Sequence, residues 1–254
     1  MQKKKYGQNF LTNQAISEKI VELEKIKNEN ILEIGTGNLS LTKFILHKKP
    51  KKFVSIEIDK DLKNNYNNDF LKYIIFDDAI KFDEMKFFSN NNFSIISNLP
   101  FNISSNILVK WIYLQNNFSC INSMTLMFQK ELADRIVSSE NSKKYGRLSV
   151  IAQAFFIIEK KLEVSKEYFS PKPKVDAVVL KFIPHKKNKI KKQNLKKLEM
   201  ITSLFFGERR KKNKQKIKKV FKDNEITNNQ FDKLFDKRPE NICKEIYFKM
   251  AEII

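Results

Sequence analysis

A chain of 254 residues, 41% of them hydrophobic, can bury the core of one large domain or two modest ones. Its formal charge of +20 points to a polyanionic partner, nucleic acid first and an anionic membrane second. Two cysteines (Cys120, Cys243) and two histidines (His47, His185) supply neither a disulfide framework nor a metal cluster. No apolar run reaches membrane-spanning length, and Lys3-Lys4-Lys5 is followed by polar residues, not by the apolar core of a secretory signal. The expectation is a soluble, cytoplasmic, metal-free monomer.

The chain opens with an arm, 3–11, whose composition reads as a solvated tail. Apolar spacing predicts a helix over 13–26, with Ile16, Ile20, Leu23 and Ile26 on one face. Residues 30–34 read as a strand that runs into Gly35-Thr36-Gly37-Asn38, and 39–46 read as a helix. Strand, glycine turn and helix make a cofactor loop, since glycines let the backbone approach a ligand closely. The third glycine of the dinucleotide pattern is absent. Glu33 stands just before the loop.

A second strand, 53–56, ends at Glu57, with Asp59 just beyond. An acid about 20 residues past a glycine turn is placed to bind both hydroxyls of a ribose. A third strand, 73–76, ends in Asp77-Asp78-Ala79, where an acid can accept from an adenine amino group. A fourth, 93–97, runs into Asn98-Leu99-Pro100-Phe101. A helix over 105–114 follows, with Ser104 or Ser105 as its N-cap. From Gly35 to Glu57 is 22 residues, then 21 to Asp78 and 20 to Asn98. Four residues in step at strand ends describe an α/β repeat, whose ligand lies along the carboxyl edge of the sheet.

Pro100 fixes its own φ and biases Leu99 away from helix, so the tetrapeptide is a stiff loop. It gathers an amide, carbonyls and an aromatic face. That set suits a flat heterocycle bearing an exocyclic amine, whose two N–H bonds the Asn98 oxygen and a carbonyl at Leu99 or Pro100 could accept. Phe101 could stack on its face. An ordinary proline loop is the plainer reading of these four residues alone.

Further on, 124–128 reads as a strand and 129–136 as a helix. Tyr145-Gly146-Arg147 forms a loop into an apolar helix over 148–156. Strands at 162–164 and 177–183 bracket a rigid two-proline loop, 168–176, which by itself is no more than a connector. From 185 to 222 there are 16 Lys or Arg against Glu199 and Glu208, a net +14. Leu195, Leu198, Ile201, Leu204 and Phe205 give that segment a helical apolar face. Residues 223–254 carry seven acids and five bases. A domain boundary is expected at 184/185.

The Asn98-to-Ser104 string resembles the rRNA adenine N6-dimethyltransferase family. So do Gly7-Gln8-Asn9-Phe10-Leu11, Asp78-Ala79, the loop from Tyr168 to Asp176, an Arg209-Arg210-Lys211 triplet and Arg238-Pro239-Glu240-Asn241-Ile242. Tyr145-Gly146-Arg147-Leu148-Ser149 matches the branch acting on small-subunit rRNA; the antibiotic-resistance branch, which acts on large-subunit rRNA, lacks it. The resemblance implies a Rossmann-like methyltransferase domain (1–184) using S-adenosylmethionine, and a small helical rRNA-binding domain (185–254). It picks Asp78 over Asp77 and closes Asn9 and Leu11 over the cofactor, alongside Gly35, Gly37, Glu57 and Asn98. Asn98, Leu99, Pro100 and Phe101 would then hold the target adenine, with Phe169 on its other face, and Arg147, Arg209, Arg210, Lys211 and Lys212 would bind RNA. The implied substrate is a pair of adjacent adenosines in the 3′-terminal hairpin of small-subunit rRNA, within an immature subunit. Two departures stand out: Thr36 where the family usually has Pro, and Phe101 where most members have Tyr.

Overall fold

The structure, a computed structural model, describes residues 7–222 and 229–254. The basic start Lys3-Lys4-Lys5 and the first six residues of the acidic C-terminal stretch lie outside them. The described residues hold nine strands: β1 (Phe10–Leu11), β2 (Asn30–Ile34), β3 (Lys52–Glu57), β4 (Ile74–Phe76), β5 (Phe93–Asn98), β6 (Ile121–Gln129), β7 (Phe156–Val164), β8 (Phe169–Ser170) and β9 (Ala177–Pro184). Seven form one sheet in the order β4-β3-β2-β5-β6-β9-β7, and β1 pairs with β8. Strands β2 to β6 are mutually parallel; β9 runs antiparallel to β6.

The parallel strands are near-continuous apolar runs because both faces of such a sheet are covered. All but the first residue of β2 and of β3 are buried, and all but the last of β5. The chain leaves β2 outward through β3 and β4, then returns to the other side of β2 as β5. Strand order therefore reverses between β2 and β5, and the crevice at such a reversal is where open α/β sheets bind ligands. Gly35 follows β2 and Asn98 ends β5, so both border it.

The chain divides into two compact units, 1–133 with 158–184, and 134–157 with 185–254. The break after Pro184 coincides with the expected boundary, but 134–157, read from sequence as part of the first domain, groups with the second. The second unit is helical, with Arg147–Gln153, Leu195–Gly207, Lys214–Lys222 and Lys244–Ile253. Its core is aromatic: the Phe205 and Tyr247 rings lie 5.5 Å apart, and those of Tyr145 and Phe206 5.7 Å. Of the expected apolar face, Leu204 is only half-buried and Phe206 is buried in its stead.

Several local expectations change. The helix over 13–26 is Gln14–Glu22, which leaves Leu23 and Ile26 beyond it, and the helix over 39–46 is Thr42–His47. The helix over 148–156 is Arg147–Gln153, and Phe156 opens β7, where Ile157, Ile158 and Val164 favour strand. The helix over 129–136 is Lys130–Val137, because Gln129 pairs with Ala177 as the last rung of β6. The helix after the Asn98 loop is Ser104–Phe118, and its N-cap is Ile103 with no side-chain cap. The Ser104 hydroxyl instead donates to the Phe101 carbonyl at 3.0 Å, which ties the helix to the loop before it.

Candidate active site

The crevice between β2 and β5 has two lobes, both within the first unit. One, of about 450 Å³, is lined by the arm (Gly7 to Phe10), the glycine turn (Gly35 to Asn38), Ser40, Glu57, Ile58 and Asn98 to Pro100. The other, of about 410 Å³, is lined by Ile34, Gly35, Ile56 to Ile58, Asp77 to Ala79, Pro100, Asn102 and Ile103. Gly35, Glu57, Ile58 and Pro100 border both. Gly35, Glu57, Asp78 and Asn98, the four residues spaced in step along the sequence, thus line one crevice.

The glycine turn needs glycine. Gly37 has φ +53°, and a Cβ there would fall 2.9 Å from the Phe10 ring. Glu57 holds this turn: the Gly37 N–H donates to one of its oxygens (3.0 Å) and the Asp59 N–H to the other (2.9 Å). Glu57 is buried, and desolvation raises its pKa above the ordinary glutamate range despite those two bonds. A carboxylate offers about four lone-pair directions, and besides Gly37 and Asp59 the Ile58 backbone also interacts with this one, so its remaining acceptor capacity faces the crevice. Tyr66 braces the same turn from behind, donating its hydroxyl to the Gly37 carbonyl at 2.6 Å. Deeper still, Glu33 is fully enclosed and accepts from the Thr42 hydroxyl; burial pushes its pKa up to about 8. It lines neither lobe.

From Gly7 on, the arm is a strap rather than a tail. Phe10 and Leu11 pair with Ser170 and Phe169. The Gln8 amide donates to Asp59 (3.0 Å), the Asn38 amide to the Leu11 carbonyl (2.8 Å), and the Thr12 N–H to the Tyr168 carbonyl (2.8 Å). Asn9 and Leu11, expected at the cofactor, differ in placement. Asn9 lines the crevice, whereas Leu11 is buried in the core, 1% exposed, and reaches the glycine turn only through its backbone carbonyl. Gln8 and Asn38 had no spacing signal in the sequence; their roles arise because the strap crosses the turn.

The strap also orients Asn98, whose Nδ2 donates to the Asn9 carbonyl at 3.1 Å. With that end of the amide spent on the backbone, Oδ1 is left as an acceptor. The Pro100 carbonyl accepts from the Ile103 N–H (3.2 Å) and that of Phe101 from Ser104. Among the described residues none donates to the Leu99 carbonyl, which makes it the better partner for Asn98 in gripping an amine. The Phe101 and Phe169 rings lie 6.5 Å apart, close to the roughly 7 Å that a base stacked between two faces requires at about 3.5 Å per contact. They are tilted by 57°, and Phe169 is 5% exposed among core residues. In this arrangement Phe101 packs on Phe169, so admitting a base requires the rings to move.

These features fit an adenosyl ligand: an acid for the ribose, an acid at the far lobe, apolar walls and an amide beside the reacting end. A profile of the ribosomal RNA adenine dimethylase family matches residues 1–254. The chain belongs to the ribosomal RNA adenine dimethylase family. Within it, the chain is 41% identical to a ribosomal RNA small subunit methyltransferase A of Pelagibacter ubique, covering 98% of this chain and 95% of that one. It is 38% identical to the protein of the same name in Malacoplasma penetrans, over 98% and 90%. Among solved structures it resembles a dimethyladenosine transferase from Plasmodium falciparum, with TM-score 0.75, 25% identity and 95% of each chain covered. A 23S rRNA methyltransferase, ErmE, shares the fold at TM-score 0.67 and 19% identity, over 96% of this chain and 98% of that one.

The dimethylase match spans both units, including the basic second one. There the expected RNA-binding residues divide. Arg147 is exposed at the start of its helix, and Arg210, Lys211 and Lys212 are exposed on the turn between Leu195–Gly207 and Lys214–Lys222. Lys211 pairs with Glu208 and Lys212 with Asp236. Arg209 is built into the fold: its Nη2 donates to the Tyr145 carbonyl (2.8 Å), and its guanidinium lies 5.8 Å from the Phe206 ring centroid. Lys216, which sequence reasoning left among the charge run, is 5% exposed and caps the carbonyls of Phe205 and Glu208. Ser149 of the Tyr145 motif accepts from the Gly146 N–H and donates to the Arg135 carbonyl, so that motif serves to join two helices.

Proposed function

We propose that this dimethylase transfers methyl groups to N6 of two adjacent adenosines in the 3′-terminal hairpin of small-subunit rRNA, within an immature subunit. The observation that carries the reading is the Asn98 amide. Its nitrogen is committed to the Asn9 carbonyl, which turns Oδ1 into a fixed acceptor at the mouth of a glycine-turn crevice. The names and 38–41% identities of the two bacterial relatives favour the small-subunit substrate.

S-adenosylmethionine supplies an electrophilic methyl on a sulfonium. Gly35 and Gly37 let the backbone approach it, Glu57 accepts from the ribose hydroxyls, and Asp78 accepts from the adenine amine. Asn98 Oδ1 and the Leu99 carbonyl accept the two N–H bonds of the target adenine. That draws N6 from planar toward tetrahedral and frees its lone pair from the ring. No side-chain base is required, because the proton leaves after the nitrogen has become cationic. Unstacking the target base costs a few kcal/mol, and stacking on Phe101 and Phe169 at roughly 1–3 kcal/mol each offsets it. Positioning of this kind supplies much of the rate. Arg147, Arg210, Lys211 and Lys212 meet rRNA phosphates; Arg209 supports the turn that presents three of them.

The test is methyl transfer from labelled donor to immature small subunits, with large subunits as control, followed by mass-spectrometric mapping of the rRNA. Two doubly methylated neighbouring adenosines are expected. Label on large subunits alone would assign the chain to the other substrate class, and binding without transfer would make it an assembly factor.

A further inference from the structure

Lys110 sits on the helix Ser104–Phe118, two turns beyond the Asn98–Phe101 loop. Its side chain is only 21% exposed, unusual for a lysine. Its Nζ donates to three oxygens: the Ala79 carbonyl (2.9 Å), the Phe82 carbonyl (2.6 Å) and the Glu84 carboxylate (2.8 Å). An ammonium has three donors, so this one is saturated. Glu84 is 1% exposed, and its same oxygen also accepts from Trp111 Nε1 at 3.1 Å.

All three Lys110 contacts fall on residues 79–84, the segment directly after Asp78. Within that segment Ala79 is buried and Phe82 is half-buried against Phe87, but Ile80 is 37% exposed and Lys81 and Asp83 are exposed. Ala79 lines one wall of the second lobe, and Asn102 and Ile103, just ahead of the Lys110 helix, line it too. One ammonium therefore joins the segment carrying Asp78 to the helix carrying the target-base loop. Neutralising Glu84 does not require the two carbonyl contacts; holding the segment at a set distance does.

We propose that Lys110 is a positioning residue that sets the width of the second lobe, and so aligns the adenosine end of the methyl donor with the Asn98–Phe101 loop. The proposal rests on reading this lobe as the adenine site.

The test uses the full chain with Lys110→Met and with Lys110→Met combined with Glu84→Gln. The double variant leaves no buried unpaired charge and keeps an acceptor for Trp111. Thermal unfolding is measured beside calorimetric affinity for S-adenosylhomocysteine and for 5′-methylthioadenosine, which carries the adenosine end alone. Lys110→Met is expected to weaken both ligands by the same factor, about tenfold, as for loss of charged hydrogen bonds, and to lower kcat at saturating donor as well, because the bound donor is then out of line with the Asn98–Phe101 loop. The double variant should regain thermal stability while its affinities stay low. Wild-type affinity in the double variant, or loss confined to S-adenosylhomocysteine, would overturn the role of Lys110. Wild-type protein that binds neither compound would overturn the adenine-site reading, and this proposal with it.

Discussion

In the first unit, Gly35, Glu57, Asp78 and Asn98 stand at or just past the ends of four parallel strands, and the sheet delivers them to one edge. In the second, Arg209, Arg210, Lys211 and Lys212 follow one another on a turn between two helices. The structure brings the first set together and divides the second. The difference is geometric. Residues about 20 apart at strand ends share a direction because the sheet repeats. Neighbours along a turn point different ways, so one cation of a run can be spent on a carbonyl while the next is exposed. Spacing across a repeat therefore carries more functional information than charge density within a segment.

The largest expected effect breaks the first set at Asn98. Asn98→Ala removes the oriented acceptor and should lower methyl transfer by about a hundredfold or more, the order seen when one preorganised polar group is deleted. RNA binding, governed by phosphate contacts, should hardly change. Transfer within threefold of wild type would leave the crevice without its proposed chemistry.

Glu57→Ala comes next, with donor affinity expected to fall roughly tenfold or more, because hydrogen bonds to a charged group contribute about 1.5–3 kcal/mol. Calorimetry is the readout, with circular dichroism to show that the fold survives. Unchanged affinity would return Glu57 to the single task of bracing Gly37.

Behind the crevice, Glu33 gives a pH signature. Its native pKa, about 8, lies above the ordinary 4.5. The folded chain therefore keeps a proton that the unfolded chain releases, and stability is lost as pH rises from about 4.5 to about 8. The slope is up to about 1.4 kcal/mol per pH unit. Glu33→Gln should flatten urea midpoints across that window; parallel curves for the two proteins would contradict the assignment.

The basic turn offers a sharper division. Replacing Arg210, Lys211 and Lys212 with Ala should reduce the salt slope of RNA binding by up to about 2–3 units if each meets a phosphate. Arg209→Ala should instead lower thermal stability, by roughly 1–2 kcal/mol for a charged bond to a carbonyl, and leave the slope nearly intact. Equal slope changes per residue would mean that the division seen at this turn does not extend to RNA.

The smallest effect is expected at Phe101. Phe101→Tyr keeps the stacking face and should change methyl transfer by less than about threefold, whereas Phe101→Ala should lose a stacking contribution of about 1–3 kcal/mol. If Tyr raises the rate tenfold, the hydroxyl absent from this chain has a use that stacking does not describe.

Residue type and period were enough to read the α/β repeat, the glycine turn, the strand-end acids and the Asn98 loop from the chain itself. Each is local: a buried strand is an apolar run, and its polar terminator falls at a countable distance. What no local pattern carries is which long-range partner a group meets. Composition made 3–11 a solvated tail, yet Gln8, Asn9 and Leu11 are held by Asp59, Asn98 and Asn38, from 27 to 89 positions away. The same holds for Lys110 reaching 26 to 31 residues back to the Asp78 segment, and for Arg209 meeting Tyr145. Phe156 shows the converse: its apolar run reads as a helix, and β-branched neighbours together with pairing at the sheet edge make it a strand. Local sequence set the type of most elements and the polar residues that end the parallel strands. The closed chain decided which side chains were left over for chemistry, since most buried donors and acceptors are satisfied within the fold.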